Sequence, residues 1–280
     1  SQTQGVHLCC PTGSLVGPIE ISNNEITAGT IGVDLRGIIN RSITITDNDI
    51  TAQIHGVKLK GHFDGASITI EDNRFSGGTG GIYLKGRFSS AINLEGNEFN
   101  LAGSDEIRLK GHFSGPINGS AVTAAGLPGL KLKGHFGGVT IKHYDPLASA
   151  LPGILLGGYF EEAQTVSGQV ITAEGVPGIK ATGDFDALTL SHNDIWADRH
   201  GIQVKYAFID DDLIISHNDI WAERTGIQVK HVTVGDDLRI EHNDIWAERH
   251  GVQVKYSFID DDLIISHNDI WAGRTGVQVK

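Results

Sequence analysis

Apolar and polar residues alternate in short bursts along the chain, as in Ile43-Thr44-Ile45, Ile68-Thr69-Ile70, Val57-Lys58-Leu59 and Ile202-Gln203-Val204. Alternation with period two, carried by β-branched residues and bounded by Gly, Asn and Asp, predicts short β-strands. No segment sustains a 3.6-residue apolar period with helix caps, so helices are not expected.

The bursts recur at a fixed spacing. SHNDIWADRHGIQVK begins at Ser191, SHNDIWAERTGIQVK at Ser216, EHNDIWAERHGVQVK at Glu241 and SHNDIWAGRTGVQVK at Ser266, 25 residues apart each time. His200 and His250 alternate with Thr225 and Thr275, and Tyr206 and Tyr256 flank His231, so the duplicated unit reads as 50 residues. In weaker form the register reaches the N-terminus. The strand after the Gly begins at Val6, Val33, Val57, Ile82, Ile107, Leu130, Ile154, Ile179, Ile202, Ile227, Val252 and Val277. Self-similarity at this period marks a solenoid, in which each repeat buries its apolar face only by stacking on the next.

Twelve recurrences predict about eleven coils of 23–27 residues in one domain, 1–280, with three short strands per coil. Each strand would pair in parallel with its counterpart one coil away, at about 4.8 Å, with the right-handed crossover that parallel connections favour. The expected fold is therefore an all-β, right-handed parallel β-helix. Leu213, Ile215, Asn218, Ile220, Ile227 and Val229 should point inward. Three sections follow from the ladder residues. Residues 1–119 carry Asn coils and K-G-[HR]-F turns at Lys60–Phe63, Lys85–Phe88 and Lys110–Phe113. Residues 120–190 place Pro-Gly before the strand, at Pro128, Pro152 and Pro177, with Ser120, Tyr144 and Gln169 where the Asn would be. Residues 191–280 are nearly identical repeats.

The recurring polar residue is Asn24, Asn48, Asn73, Asn97, Asn193, Asn218, Asn243 and Asn268. Side-chain amides at one coil position can donate to one neighbour and accept from the other, which satisfies a polar group beside the core. This N-x-[IF] element, followed by G-[IV]-x-[VL] at coil spacing, resembles the right-handed β-helix superfamily, which includes pectate-lyase-like enzymes, tailspikes and NosD-type repeat proteins. The resemblance covers almost the whole chain and implies architecture. Members include polysaccharide lyases, hydrolases and epimerases as well as passive scaffolds, so fold does not deliver function.

Composition narrows the classes. The 37 Gly without a G-X-Y period fit many tight turns, and the net charge of −12 argues against a nucleic-acid groove, which needs a basic face, and against anionic lipid. No apolar run suits a membrane helix. The chain starts at Ser1 without a leader-like segment and reads as a mature or trimmed product. Cys9-Cys10 could form a vicinal disulfide or stay as two thiols, and one pair does not fix the redox compartment.

Several outward rows could carry chemistry. Trp196, Trp221, Trp246 and Trp271 occupy one coil position, where earlier coils have Thr51, Ser76 and Asn100. Aromatics in register form a strip that a glycan or a protein could cover. His192, His217, His242 and His267 form a second row, which gives parallel imidazoles where a metal needs converging ones. Acidic turns at Asp210, Asp211, Asp212, Asp236, Asp237, Asp260, Asp261 and Asp262 are candidates for calcium or for solvation alone. Arg199, Arg224, Arg249 and Arg274, next to Asp198, Glu223 and Glu248, read as structural ion-pair rows. Lys60, Lys85, Lys110, Lys133, Lys205, Lys230, Lys255 and Lys280 follow the Gly-led strand. The polysaccharide lyases in the resemblance carry basic and calcium-binding residues on such a face.

Catalysis needs an irregular, singular place, and half of this chain is regular. Asp198-Arg199-His200-Gly201 resembles coils of mannuronan epimerases. Their catalytic tyrosine and D-P-H-D cluster are not reproduced, the nearest match being Tyr144-Asp145-Pro146 followed by Leu147. An active site would be sought around His143, Tyr144, Asp145 and Tyr159. The favoured expectation is a non-catalytic extracellular or cell-surface β-helix, with the periplasm as a further location. It would be a filament or surface-array subunit that stacks end to end through strands of one register, Gly5–Leu8 and Gly276–Val279, with no cap after the last coil. It would use no cofactor, insert in no membrane and bind no nucleic acid, and its Trp strip would bind a polysaccharide or a protein. The alternative is a polysaccharide lyase, epimerase or hydrolase of the same superfamily.

Overall fold

The computed structural model describes residues 4–10, 17–64, 67–101, 105–115, 117–119, 121–122, 130–137, 139–142 and 153–280. Every regular element among them is a β-strand. The chain divides near residue 138 into two compact units. Pro128, Pro152, Ser120, His143, Tyr144 and Asp145 lie outside the described residues.

Both units are parallel β-solenoids with three sides. In the first unit, the first side consists of Val6–Cys10, Ile31–Ile38, His55–Phe63, Gly80–Phe88, Asp105–Phe113 and Leu130–Phe136. The second side holds Ile19–Ser22, Ile43–Thr46, Ile68–Glu71, Ile92–Asn93 and Ile117–Gly119, and the third Glu25–Ala28, Asp49–Ala52, Arg74–Ser76, Asn97–Asn100 and Ala121–Val122. Register is kept from coil to coil, with Val33, Val57, Ile82, Ile107 and Leu130 in one row.

In the second unit the first side runs through Ile154–Phe160, Ile179–Phe185, His200–Ile209, Thr225–Val234, His250–Lys255 with Phe258–Ile259, and Thr275–Val279. The second side holds Val139–Lys142, Gln164–Ser167, Leu188–Ser191, Leu213–Ser216, Leu238–Glu241 and Leu263–Ser266. The third holds Val170–Ala173, Asp194–Ala197, Asp219–Ala222, Asp244–Ala247 and Asp269–Ala272. Among the described residues the strands complete about nine turns, fewer than the eleven that the spacing predicts. The coil that starts with Leu130–Phe136 has no third-side strand among the described residues.

Period-two alternation fills the core as predicted: Leu213, Ile215, Asn218, Ile220, Ile227 and Val229 are all buried. In the first unit Phe63, Phe88, Phe113 and Phe136 stack ring on ring, at centroid spacings of 4.7, 4.7 and 5.0 Å. These rings close the K-G-[HR]-F segments, which are not turns. They lie inside the nine-residue strands His55–Phe63, Gly80–Phe88 and Asp105–Phe113. Gly61, Gly86 and Gly111 have φ of 143–149° and bend the strand while its ladder continues. A Cβ at Gly86 would collide with the carbonyl oxygen of Gly61 one coil away, so only glycine fits.

The Asn ladder forms in both units. In the first, the Nδ2 groups of Asn24, Asn48 and Asn73 donate to the Oδ1 of Asn48, Asn73 and Asn97 at 3.0, 2.9 and 3.1 Å. In the second, Asn193, Asn218 and Asn243 donate in the same way to Asn218, Asn243 and Asn268, each at 2.9 Å. Gln169 extends this ladder, because its backbone N–H donates to Asn193 Oδ1 at 3.1 Å. Ahead of each ladder Asn the chain turns through a left-handed residue, which is His192, His217, His242 and His267 in the last repeats.

Candidate functional site

The last four repeats build three chemically distinct surfaces on the second unit. On its third side, Asp194, Asp219, Asp244 and Asp269 lie in one row, and Trp196, Trp221, Trp246 and Trp271 in the next. Both face outward because Ile and Ala of the same strands fill the core. Along the row Trp221 and Trp246 stack 5.1 Å apart and nearly parallel, while Trp196 tilts by 36° at 6.3 Å from Trp221. Trp196 and Trp271 are 60% and 70% exposed, against 42% for Trp246, so neighbouring rings cover the inner faces and leave edges outward. Burial raises the Asp219 carboxyl above its ordinary value, and the Asp194 and Asp244 carboxylates raise it further.

At the corner beside this face stand His192, His217, His242 and His267, whose rings stack at 4.8–4.9 Å within 3° of parallel. Among the described residues no three His, Cys, Asp or Glu side chains form a group that could hold a metal. In the acidic turns, two carboxylates accept from backbone N–H groups. Asp212 Oδ1 accepts from the N–H of Asp237, and Asp237 Oδ1 from the N–H of Asp262, at 3.1 and 2.9 Å. The Asp262 N–H and the Arg239 guanidinium hold the Asp237 carboxyl below its ordinary value. Asp210, Asp211, Asp260 and Asp261 are exposed in the same turns.

The first side of this unit is basic. Gln203, Gln228, Gln253 and Gln278 form a second amide ladder at 2.8–2.9 Å. Lys205, Lys230 and Lys255 form the next row, and Lys205 Nζ stands 4.6 Å over the Tyr206 ring. Contrary to the ion-pair rows expected from sequence, Arg199, Arg224, Arg249 and Arg274 form no ion pair with Asp198, Glu223 or Glu248 among the described residues. Their field reaches the first-side imidazoles. Burial lowers His200 to about 4, with Arg199, Arg224 and Lys205 adding to the shift, and His250 is lowered by burial and by Lys255, Arg274, Arg249 and Lys280.

One feature of these coils has no counterpart in the coil before. Where Gly183 makes the bend, the next coil inserts a residue, and the register shifts between Ala181 and Gly183. Tyr206, His231 and Tyr256 hold φ of 52–54° there and stack outward at 5.1 Å. Bulges of this kind re-aim a side chain. The extra residue is visible in sequence as one position more between the Gly-led strand and the Asp turn.

In the first unit, Asp47, Asp49, Asp72, Arg74 and Glu98 line a shallow depression of about 350 Å³ beside the Asn ladder. Arg74 Nε donates to Glu98 Oε2 at 3.0 Å across it. Sequence reading passed over this place because acidic residues are spread along the whole chain. Tyr159, one of the residues at which an active site would be sought, is exposed on the second unit's first side. Cys9 is a free, exposed thiol. No described helix is long and apolar enough to cross a membrane.

A family model described as a right-handed β-helix region matches residues 5–145, just over half of the 280. No curated protein and no solved structure matches the chain. With parallel strands in three-sided coils throughout both units and an amide ladder at their corner, the chain belongs to the right-handed β-helix family.

Proposed function

We propose that the protein is a non-catalytic, extracellular or cell-surface structural β-helix, a subunit of filaments or surface arrays, with the Trp-bearing side as a contact strip for a glycan or a protein. One observation carries the reading. In the last four repeats several outward rows interact with their own copy one coil away, as Gln on Gln, His on His and Trp on Trp. Rows of this kind stiffen a solenoid through nearest-neighbour terms. Catalysis requires unlike groups that converge on one reacting atom, and a row repeats one group. End-to-end stacking is supported by the common register of the coils, in which Val6 pairs with Val33 as Val252 does with Val277.

The indole edges and the Asp row suit a polyhydroxylated chain lying along the strip, because carboxylates accept from hydroxyls while the ring edge is electropositive. Negative-stain electron microscopy across a concentration series tests the reading. Long rods of uniform width are the expected result, and isolated short rods at every concentration would remove the filament.

The depression at Asp47, Asp72, Arg74 and Glu98 favours the second reading, a polysaccharide-acting enzyme. Nearby, burial raises the Glu71 carboxyl, with Glu95 and Asp72 adding to it. Incubation with neutral and acidic polysaccharides, followed by assays for reducing ends and unsaturated sugars, separates the two. Product formation abolished by Glu98→Gln would establish the enzyme.

A further inference from the structure

We infer that the basic first side of the second unit, from Arg199 to Lys280, docks against the acidic, Trp-bearing third side of a second copy of this chain. The inference rests on the structural reading above and names the partner of that contact strip.

In the four repeats the first-side strands carry Lys205, Lys230 and Lys255 and no acid, the third-side strands carry Asp194, Asp219, Asp244 and Asp269 and no Lys or Arg, and the turn between the two sides holds an Arg after each Asp198, Glu223 and Glu248. Residues 199–209, 224–234, 249–259 and 274–280 contain Arg199, Arg224, Arg249, Arg274, Lys205, Lys230, Lys255 and Lys280 and no Asp or Glu. Residues 191–198, 216–223 and 266–273 contain no Lys or Arg, nor do residues 241–248. The third-side strands present Asp194, Asp219, Asp244 and Asp269 in one row. Among the described residues the Arg side chains form no ion pair with the carboxylates beside them in the same turns. Beyond burial, Arg199, Arg224 and Lys205 lower His200, and Lys255, Arg274, Arg249 and Lys280 lower His250, which puts several cations close to these first-side imidazoles. On the third side, Asp219 responds to the like charges of Asp194 and Asp244. A cationic row laid opposite would relieve that repulsion.

Spacing selects the partner. Both sides repeat once per coil of the same solenoid, so the rows of one copy stay in step with those of another along the whole contact. A flexible polyanion has its own repeat and drifts out of step. Each side also carries an uncharged row beside its charged one, Gln203 to Gln278 on the first and Trp196 to Trp271 on the third. The net charge of −12 opposes contacts between acidic faces. First side against third side is a heterologous contact, which propagates into an open lateral array unless its rotation closes a ring.

Sedimentation velocity of the full chain tests this at ~0.1 M and ~1 M salt, where the Debye length is about 10 and 3 Å. Association at low salt that disappears at high salt is expected. The triple variant Lys205→Glu, Lys230→Glu, Lys255→Glu should weaken it by at least about tenfold, with an unchanged circular dichroism spectrum. Lys→Gln at the same three positions serves if the Glu variant fails to fold. Mixing the Glu variant with Asp194→Lys, Asp219→Lys, Asp244→Lys should restore association that neither shows alone. A wild-type chain that stays monomeric at low salt, or a triple variant that associates unchanged, would overturn the inference. So would a monomeric chain that binds polygalacturonate through the three lysines. Product release from a polysaccharide would instead overturn the structural reading, whatever the association state.

Discussion

Replacing Asn218 by Ala tests the amide ladder at one of its fully satisfied members. Asn218 is 1% exposed, and its Nδ2 donates to Leu190 O, Ser216 O and Asn243 Oδ1 at 2.9, 3.1 and 2.9 Å. Its Oδ1 accepts from the backbone N–H and the Nδ2 of Asn193, at 3.1 and 2.9 Å. An intramolecular hydrogen bond contributes about 1 kcal/mol net, and a buried group left unpaired costs about 1–3 kcal/mol. Ala removes both donors and both acceptances and orphans groups in the coils on either side. The expected loss is therefore about 3–5 kcal/mol. Asn268→Ala, at a half-buried position, should cost about 1–2 kcal/mol, because water replaces part of what is lost.

Since solenoid stability is a sum over neighbouring repeats, the measurement is urea unfolding combined with native-state hydrogen exchange. Protection should fall first between Leu188 and Ala247, the coils that share the ladder. Asn218→Asp keeps the acceptor and loses the donors, so it should be no milder than Ala at pH 7 and recover in part when acid protonates the carboxyl. A cost for Asn218→Ala below about 1 kcal/mol, or equal to that of Asn268→Ala, would refute the ladder as a source of stability.

Three further outcomes are expected. Gly86→Ala should destabilise far more than Gly17→Ala by urea titration, since both have positive φ but only the Gly86 Cβ meets backbone. Phe88→Ala, in the middle of the stacked rings, should cost about 3–5 kcal/mol in the same assay, and Phe88→Leu clearly less. His200 is held at about 4, below its ordinary 6.5, so the unfolded chain takes up the proton first as pH falls. Its contribution is full above pH 6.5 and is lost as pH drops towards about 4. His200→Gln should flatten that part of the stability profile.

Much of the architecture was legible because each coil packs mainly on its two neighbours. Val33, Val57 and Ile82 occupy one row since a parallel ladder joins residues one period apart, and the period is written in the chain. Asn218 and Ile220 could be placed inward because a strand alternates faces, and a recurrent polar residue at an inward position needs a recurrent partner. The Trp row was legible as outward for the same reason. That its inner rings present edges was not, since ring orientation depends on how neighbouring indoles settle against each other.

The sequence by itself determined the repeat, the strands, their register and the inward amide ladder, because all of these follow from local alternation and a spacing near 25 residues. Only the tertiary structure decided what happens at the corners. The K-G-[HR]-F segments are bent strands because glycine φ lets the ladder pass through, and Tyr206 projects because an inserted residue turns left-handed there. It also decided that Arg224 forms no ion pair with Glu223, which adjacency in the chain suggested. A turn sends neighbouring residues to different sides of the coil, and which side a charge faces is set by backbone direction at that turn, which a linear pattern does not encode.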